Sequence, residues 1–488
     1  MKANERKEDM SFKLGRFICT ASMMLIFGAG QLQAEENSQV VPPEPYLPIP
    51  SAIQMKWHKA EYRMFIHFGL RTYYPNGSNE GTGREDPGVF NPMKLDAEQW
   101  VKACKAGGFD GIVLTTKHHR GFCLWQTDTT DHSVKSSPWK DGRGDVVKEV
   151  FDACRKNNIT VGFYVSILDM NFLASGSKKY ENYADMYHEQ IKELSTRYGK
   201  IDEYWFDGFG SKKVRPDYKK IAELILEKQP EAVVYDSGRL SQYMPDRCLR
   251  WPENHGAVGA DQEYRHSIGG KLCWYPNEPS IILQGQWFYA GRPMVKLATV
   301  KDYYMKSTGY GVTPLMNVPP NTDGLIDEAS IQTLTAFKAW VDAIHTNDLA
   351  RGANVKVKAA YVRGHTPKYA ADKVNDGNFD TYYATDDNVK TATIEIDLGS
   401  VQKVNGFILQ EYIPLGQRVS SYSIECFVDG KWQEVFSGKR IGYQRIILQG
   451  YADAADKTFP STDRVRLNIR DSEACPLIST FQVVGKME

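Results

Sequence analysis

Apolar runs that do not alternate with polar residues most constrain what this chain can fold into. Phe109–Thr116 and Ile159–Ser166 are apolar and rich in β-branched or aromatic side chains, and Ile201–Asp207 reads similarly. A strand with one wet face alternates, so runs without alternation are expected to be strands buried on both faces. Helical spacing separates them, at Leu95–Ala106, Val146–Cys154, a long stretch ending near Tyr198, and Tyr218–Lys228. Tyr62–Gly69, Ala232–Tyr235 and Cys248–Trp251 read as further strands, and Val295–Tyr304 and Ala329–Ile344 as further helices. Strands alternating with helices predict a parallel α/β domain. Polar residues recur where these strands end: His67, Lys117-His118-His119, Ser166 with Asp169, Asp207 and Glu253. In a (β/α)8-like barrel those ends converge on one pocket. In a doubly wound sheet they line one crevice. No GxGxxG follows the first strand and no GxxxxGK[ST] occurs, so no nucleotide cofactor is expected.

At 488 residues the chain is too long for one ordinary core, and its texture changes near Val357. Short runs such as Thr393–Leu398, Val419–Val428 and Arg464–Ile469, separated by Gly, Asp and Pro turns, predict an all-β sandwich. The expected layout is a catalytic barrel over 50–350 and a β-sandwich over 355–488. Residues 1–34 read as a signal peptide, with Lys13 and Arg16 before the apolar run Phe17–Gly30 and the small residue Ala34 ending Leu32-Gln33-Ala34. The expected location is the periplasm or outside the cell, without a stable membrane span, since the run falls short of the ~20 residues a span requires. The eight cysteines are scattered and form no CxxC pair, so mostly buried thiols are expected. A formal net charge of +0 without a basic run gives no nucleic-acid surface. Asp376-Gly377-Asn378-Phe379-Asp380 reads as an Asx-rich turn or a calcium loop.

Three chemistries fit the polar strand ends. Asp207, between Trp205-Phe206 and Gly208, is a carboxylate at the end of a buried strand, where it must be solvated or paired. Glycoside hydrolysis needs two carboxyls, one as nucleophile or base and one as acid. Asp207 suits the first role and Glu253 the second, with Glu80, Glu263 and Glu278 as rivals. His67, His118 and His119 could instead hold a metal, which makes a metal-dependent hydrolase an alternative. Neutral histidines also hydrogen-bond sugar hydroxyls through both ring nitrogens.

These residues stand in stretches that resemble the α-L-fucosidases of glycoside hydrolase family 29. The stretches are Ile66-His67-Phe68-Gly69, Glu85-Asp86-Pro87 with Phe90-Asn91-Pro92, Lys117-His118-His119 with Gly121-Phe122-Cys123-Leu124-Trp125, Tyr204-Trp205-Phe206-Asp207-Gly208, and Leu315-Met316-Asn317-Val318-Pro319-Pro320. Glu411-Tyr412-Ile413-Pro414-Leu415-Gly416-Gln417-Arg418 resembles the galactose-binding-like sandwich appended to that family.

The resemblance implies a (β/α)8-like barrel and a retaining exo-α-L-fucosidase, of the branch favouring α-1,3- and α-1,4-linked fucose on oligosaccharides or glycoconjugates. It implies no cofactor and no metal. It maps the nucleophile to Asp207, the sugar-binding histidines to His67, His118 and His119, and the pocket aromatics to Trp125, Tyr164, Trp205 and Trp287. Two departures stand out. Arg120 occupies a position where the family has Asp, placing a cation near the pocket rim. The family's Arg-Trp-Val-Gly-Asn-Glu reads Arg250-Trp251-Pro252-Glu253-Asn254-His255 here, so the acid/base falls to Glu253, with Glu278 or His255 as substitutes. A catalytically weakened carbohydrate-binding protein on the same fold is the alternative that this displacement raises.

Overall fold

A computed structural model describes residues 40–74, 81–208, 214–236, 238–250 and 262–487. Eight parallel strands form its first core: β1 (Arg63–Ile66), β2 (Gly111–Lys117), β3 (Thr160–Ser166), β4 (Glu203–Asp207), β5 (Val233–Asp236), β6 (Cys248–Arg250), β7 (Ser280–Ile282) and β8 (Leu315–Asn317). They lie side by side as β6, β5, β4, β3, β2, β1, β8, β7. A parallel bridge between Arg250 and Asn277 joins the two edges. There the Arg250 N–H donates to the Pro276 carbonyl at 2.8 Å, and the Glu278 N–H to the Arg250 carbonyl at 3.0 Å. The sheet therefore curls into a (β/α)8-type barrel.

The helices are α1 (Ala52–Lys59), α2 (Ala97–Ala106), α3 (Val146–Lys156), α4 (Met170–Ser175), α5 (Tyr183–Arg197), α6 (Tyr218–Lys228), α7 (Leu297–Met305) and α8 (Glu328–Thr346). Their starts are written in the sequence. Asp96, Asp145, Asp169, Asn182 and Asp217 each accept a backbone N–H of the helix they precede. Helix α3 lays an apolar stripe of Val146, Val147, Val150, Phe151 and Cys154 on the sheet.

Because side chains alternate across a strand, one set faces the helices and the other fills the barrel. The inner set is Phe65, Val113, Tyr164, Trp205, Val233, Tyr235, Leu249 and Leu315, with Trp57 of α1 packed against it. Burying each large apolar side chain stabilises the fold by roughly 1.5–3 kcal/mol.

Three local features differ from the sequence reading. The stretch expected to be helical as far as Tyr198 is two helices, broken at Gly176, whose φ of 68° ends α4. The polar segment before residue 56 already contains α1, nucleated by a capping box between Ser51 and Gln54. Strands β7 and β8 span three residues each, too few to show a period.

The second core is an antiparallel sandwich of a five-stranded and a four-stranded sheet. Glu411 is buried and accepts the backbone N–H groups of Arg418, Val419 and Gly442, which accounts for a carboxylate in an apolar strand. Asp376 and Asn378 accept the N–H groups of Asn378 and Asp380 in successive Asx turns. The sandwich docks on the barrel at Tyr264, whose N–H donates to Gln417 Oε1 (3.2 Å) and whose hydroxyl accepts the Tyr443 N–H (3.3 Å). The seven described cysteines are buried free thiols. Among the described residues no helix is long and apolar enough to cross a membrane.

Candidate active site

Asp207 is the last residue of β4. Its Oδ2 accepts the Tyr164 hydroxyl at 2.8 Å, and its Oδ1 the Gly208 N–H at 2.6 Å. Gly208 has φ 81°, and a Cβ there would come within 2.7 Å of the Leu168 nitrogen. The glycine after the carboxylate is therefore required by the turn. Tyr164 lies on the neighbouring strand, where Tyr164 pairs with Trp205 and Ser166 with Asp207. Burial, reinforced by the Asp207 charge, holds the Tyr164 phenol well above its ordinary pKa, so it remains a donor.

The three histidines gather around Tyr164. His118 stacks flat on its ring (5.4 Å between centroids, 9°), and the centroid of His67 lies 5.6 Å away. His119 contacts His118 at 4.1 Å, and its Nε2 is 3.6 Å from Asp207 Oδ2. Burial lowers the pKa of His67 to about 3 and that of His118 well below the ordinary value, so both are neutral. The tautomer of His67 follows from its partner. Asn317 Nδ2 donates to the Trp287 carbonyl at 2.7 Å, so Asn317 Oδ1 faces His67 Nδ1, also at 2.7 Å, and must accept from it. His67 Nε2 is left as an acceptor. Strand alternation from the inward-facing Val113 would turn Lys117 inward as well, but the register shifts between Thr115 and Lys117, and Lys117 points onto Asp169 (3.0 Å) and Gln190 (2.9 Å) in the helical layer.

The aromatic residues divide. Trp287 stacks on His67 at 4.9 Å. Trp205 is sandwiched between Tyr164 (5.3 Å) and Tyr235 (3.9 Å) and is 3% exposed, so it forms the floor of the site. Trp125 is placed elsewhere. After β2 the chain doubles back, with the Leu124 N–H on the Thr116 carbonyl at 3.0 Å. This carries Trp125 into the layer between sheet and helices, where its indole donates to Glu193 of α5 at 2.8 Å. Phe288, which sequence reasoning missed, takes an edge-on place against both His67 (5.4 Å) and His118 (5.0 Å). Its only signal was adjacency to Trp287.

Arg120 does not stand as a bare cation at the rim. It is 4% exposed and paired with Glu85 at 2.8 Å. Glu278 is 1% exposed, with Oε1 accepting the Trp57 indole (2.8 Å) and Oε2 the Trp205 indole (3.1 Å). Burial, then the charge of neighbouring Glu203, pushes its pKa well above the carboxylate range, while Glu203 is ion-paired with Arg63. The acid Glu278 is thus enclosed beneath the Trp205 floor and committed to two indoles. Glu253 and His255 lie outside the described residues. Among the described residues, no three His, Cys, Asp or Glu side chains group as a metal site.

The α-L-fucosidase family model matches residues 49–345, and the F5/8 type C domain model matches residues 356–480. The chain belongs to the α-L-fucosidase family. Alpha-L-fucosidase 1 of Arabidopsis thaliana is 34% identical over 438 residues, covering 85% of this chain and 85% of that protein. Among solved structures, a GH29 fucosidase of Ruminococcus gnavus in complex with fucose is 26% identical, with a TM-score of 0.81, covering 92% of this chain and 97% of that one. SpGH29 is 29% identical with a TM-score of 0.79, covering 91% and 100%. The family model itself matches the barrel, while the likenesses to these whole chains run through barrel and sandwich together.

Proposed function

We propose that the protein is a retaining exo-α-L-fucosidase that removes terminal α-1,3- and α-1,4-linked fucose, with Asp207 as nucleophile. The observation that carries this reading is the Asp207 carboxylate, held by Tyr164 and Gly208 at the C-terminal end of the barrel beside three histidines. The fucose bound by the Ruminococcus gnavus relative supports the sugar class.

In this mechanism Asp207 attacks the anomeric carbon while a second carboxylic acid protonates the departing glycosidic oxygen. Water, deprotonated by that second group, then releases fucose with retained configuration. The Tyr164 and Gly208 donors orient the carboxylate before attack and must yield as its charge is lost. His67, His118 and His119 meet the sugar hydroxyls, and Trp287 and Phe288 its apolar face. Glu253 is the proposed acid/base; a retaining mechanism calls for two carboxyls about 5–5.5 Å apart. The leader over residues 1–34 would export the enzyme to the periplasm or beyond.

The test is fucose release from a branched α-1,3/α-1,4-fucosylated oligosaccharide, with the product anomer read by NMR. The expected outcome is retained configuration and a loss of about a thousandfold or more in Asp207→Asn. Glu253→Gln should lose more on the oligosaccharide than on an activated aryl fucoside, which needs little protonation. An inverted product, or wild-type turnover in Asp207→Asn, would overturn the assignment of Asp207.

A further inference from the structure

We infer that Arg71 forms a binding site for one small halide anion, chloride in solution, in a cavity behind His118. The site rests on charge and packing alone, and its effect on turnover rests on the fucosidase reading.

Gly69, at φ 146°, turns the chain after the first strand into a short 3-10 helix, Leu70–Tyr73, which carries Arg71. Arg71 is 4% exposed. Its Nη1 donates to the Tyr74 carbonyl, and its Nε is buried without an acceptor. Among the described residues no carboxylate pairs with its guanidinium. The charge that acts on it is that of Arg120, whose own partner is Glu85. Burial, then Arg120, lowers the Arg71 pKa from its ordinary value, the direction expected of a cation with no anion beside it. An arginine side chain does not shed its proton inside a protein, and a buried charge is costly unless it is paired. The surroundings of Arg71 therefore call for an anion.

The place for it is a small cavity of about 10 Å³, bordered by Arg71, His118, Phe68, Phe122 and Phe288. Asp207, Tyr164 and His67 do not line it, so it lies apart from the nucleophile. The volume admits one particle of about the size of water. Water can accept from the Arg71 Nε–H but brings no charge. Sulfate, phosphate and carboxylate groups bring charge but are too large. A halide ion meets both limits. The phenylalanines suit it, because the edge of an aromatic ring is positive and can face an anion. His118 Nδ1 is also buried without a partner, and burial keeps that ring neutral, so a proton placed on Nδ1 supplies a second donor. The halide thus ties Arg71 to a histidine of the proposed sugar site.

The experiment uses the full chain, with chloride and bromide as probes. A crystal soaked in bromide should give an anomalous peak beside Arg71. At constant ionic strength, the wild type should melt at a higher temperature in sodium chloride than in sodium gluconate, because a ligand that binds only the folded state stabilises it. Arg71→Gln keeps a donor for the Tyr74 carbonyl and removes the charge. It should lose the bromide peak and melt alike in the two salts. For the wild type, KM for an aryl fucoside should rise several-fold when gluconate replaces chloride, with kcat less affected, and Arg71→Gln should lose that dependence. No bromide at Arg71, or the same salt response in wild type and variant, overturns the inference and assigns the cavity to water. A halide that binds without moving KM overturns the link to His118. If Arg71→Gln does not fold, the wild-type bromide map still decides the site. If the wild type releases no fucose, the fucosidase reading fails, and the bromide map and melting curves decide the site independently.

Discussion

Tyr164 donates its phenolic proton to Asp207 Oδ2 across 2.8 Å, from the strand next to the one that the carboxylate ends. The same ring carries His118 on one contact and Trp205 on another. One side chain thus orients the proposed nucleophile and spaces the residues around it. Tyr164→Phe separates these duties, because it keeps the ring and removes the donor. A hydrogen bond to a charged group contributes about 1.5–3 kcal/mol, so kcat/KM should fall roughly 10–100-fold with little change in melting temperature. Steady-state kinetics on an aryl fucoside, run beside a thermal melt, measures both.

Trp125 should behave as a core residue. Trp125→Phe removes the donor to Glu193 and some buried area, at a cost of about 1–3 kcal/mol. The expected result is a melting temperature lower by a few degrees and an unchanged KM. A raised KM at unchanged stability would return Trp125 to the sugar pocket.

Glu278 should act through Trp205 and not as a proton donor to the leaving group. In Glu278→Gln one acid oxygen becomes an amide nitrogen, so the Trp57 and Trp205 indoles must share one acceptor. Turnover should drop by a similar factor, on the order of tenfold, for substrates with good and poor leaving groups alike. A loss confined to poor leaving groups would make Glu278 the acid.

Glu61, beside the Tyr62 that opens the barrel core, has its pKa raised to about 7 by burial. The folded state therefore holds the Glu61 proton more tightly than the unfolded chain does. Stability from this group is fully present below about pH 4.5 and is lost as pH rises to about 7. Glu61→Gln should flatten that part of the profile and stabilise the protein above pH 7 by about 1–3 kcal/mol. Urea unfolding at pH 5 and pH 8, for wild type and variant, supplies the comparison.

Much of this protein was legible in one dimension. Non-alternating strands, helical spacing and N-cap aspartates each report a local preference, and for Phe109–Thr116 or Val146–Cys154 that preference and the tertiary fold agree. Asp207 could be singled out because a carboxylate ending a buried run must be solvated or paired, Gly208 lets the chain turn and a ligand approach, and aromatic residues flank it. Strands β7 and β8, at three residues each, show no period and do not read as strands, whereas the equally short β6 does.

The sequence by itself determined that strands and helices alternate, that a β-rich module follows, and that polar groups collect where the strands end. Those outcomes depend on contacts within a few turns of chain. Only the tertiary structure decided which of those groups meet. A reversal after β2 sends Trp125 behind the sheet, while the loop before α7 delivers Phe288 to the histidines. Closure at Arg250 and Asn277 encloses Glu278 under Trp205. Such choices depend on distances between residues far apart in the chain, which residue type and spacing do not encode.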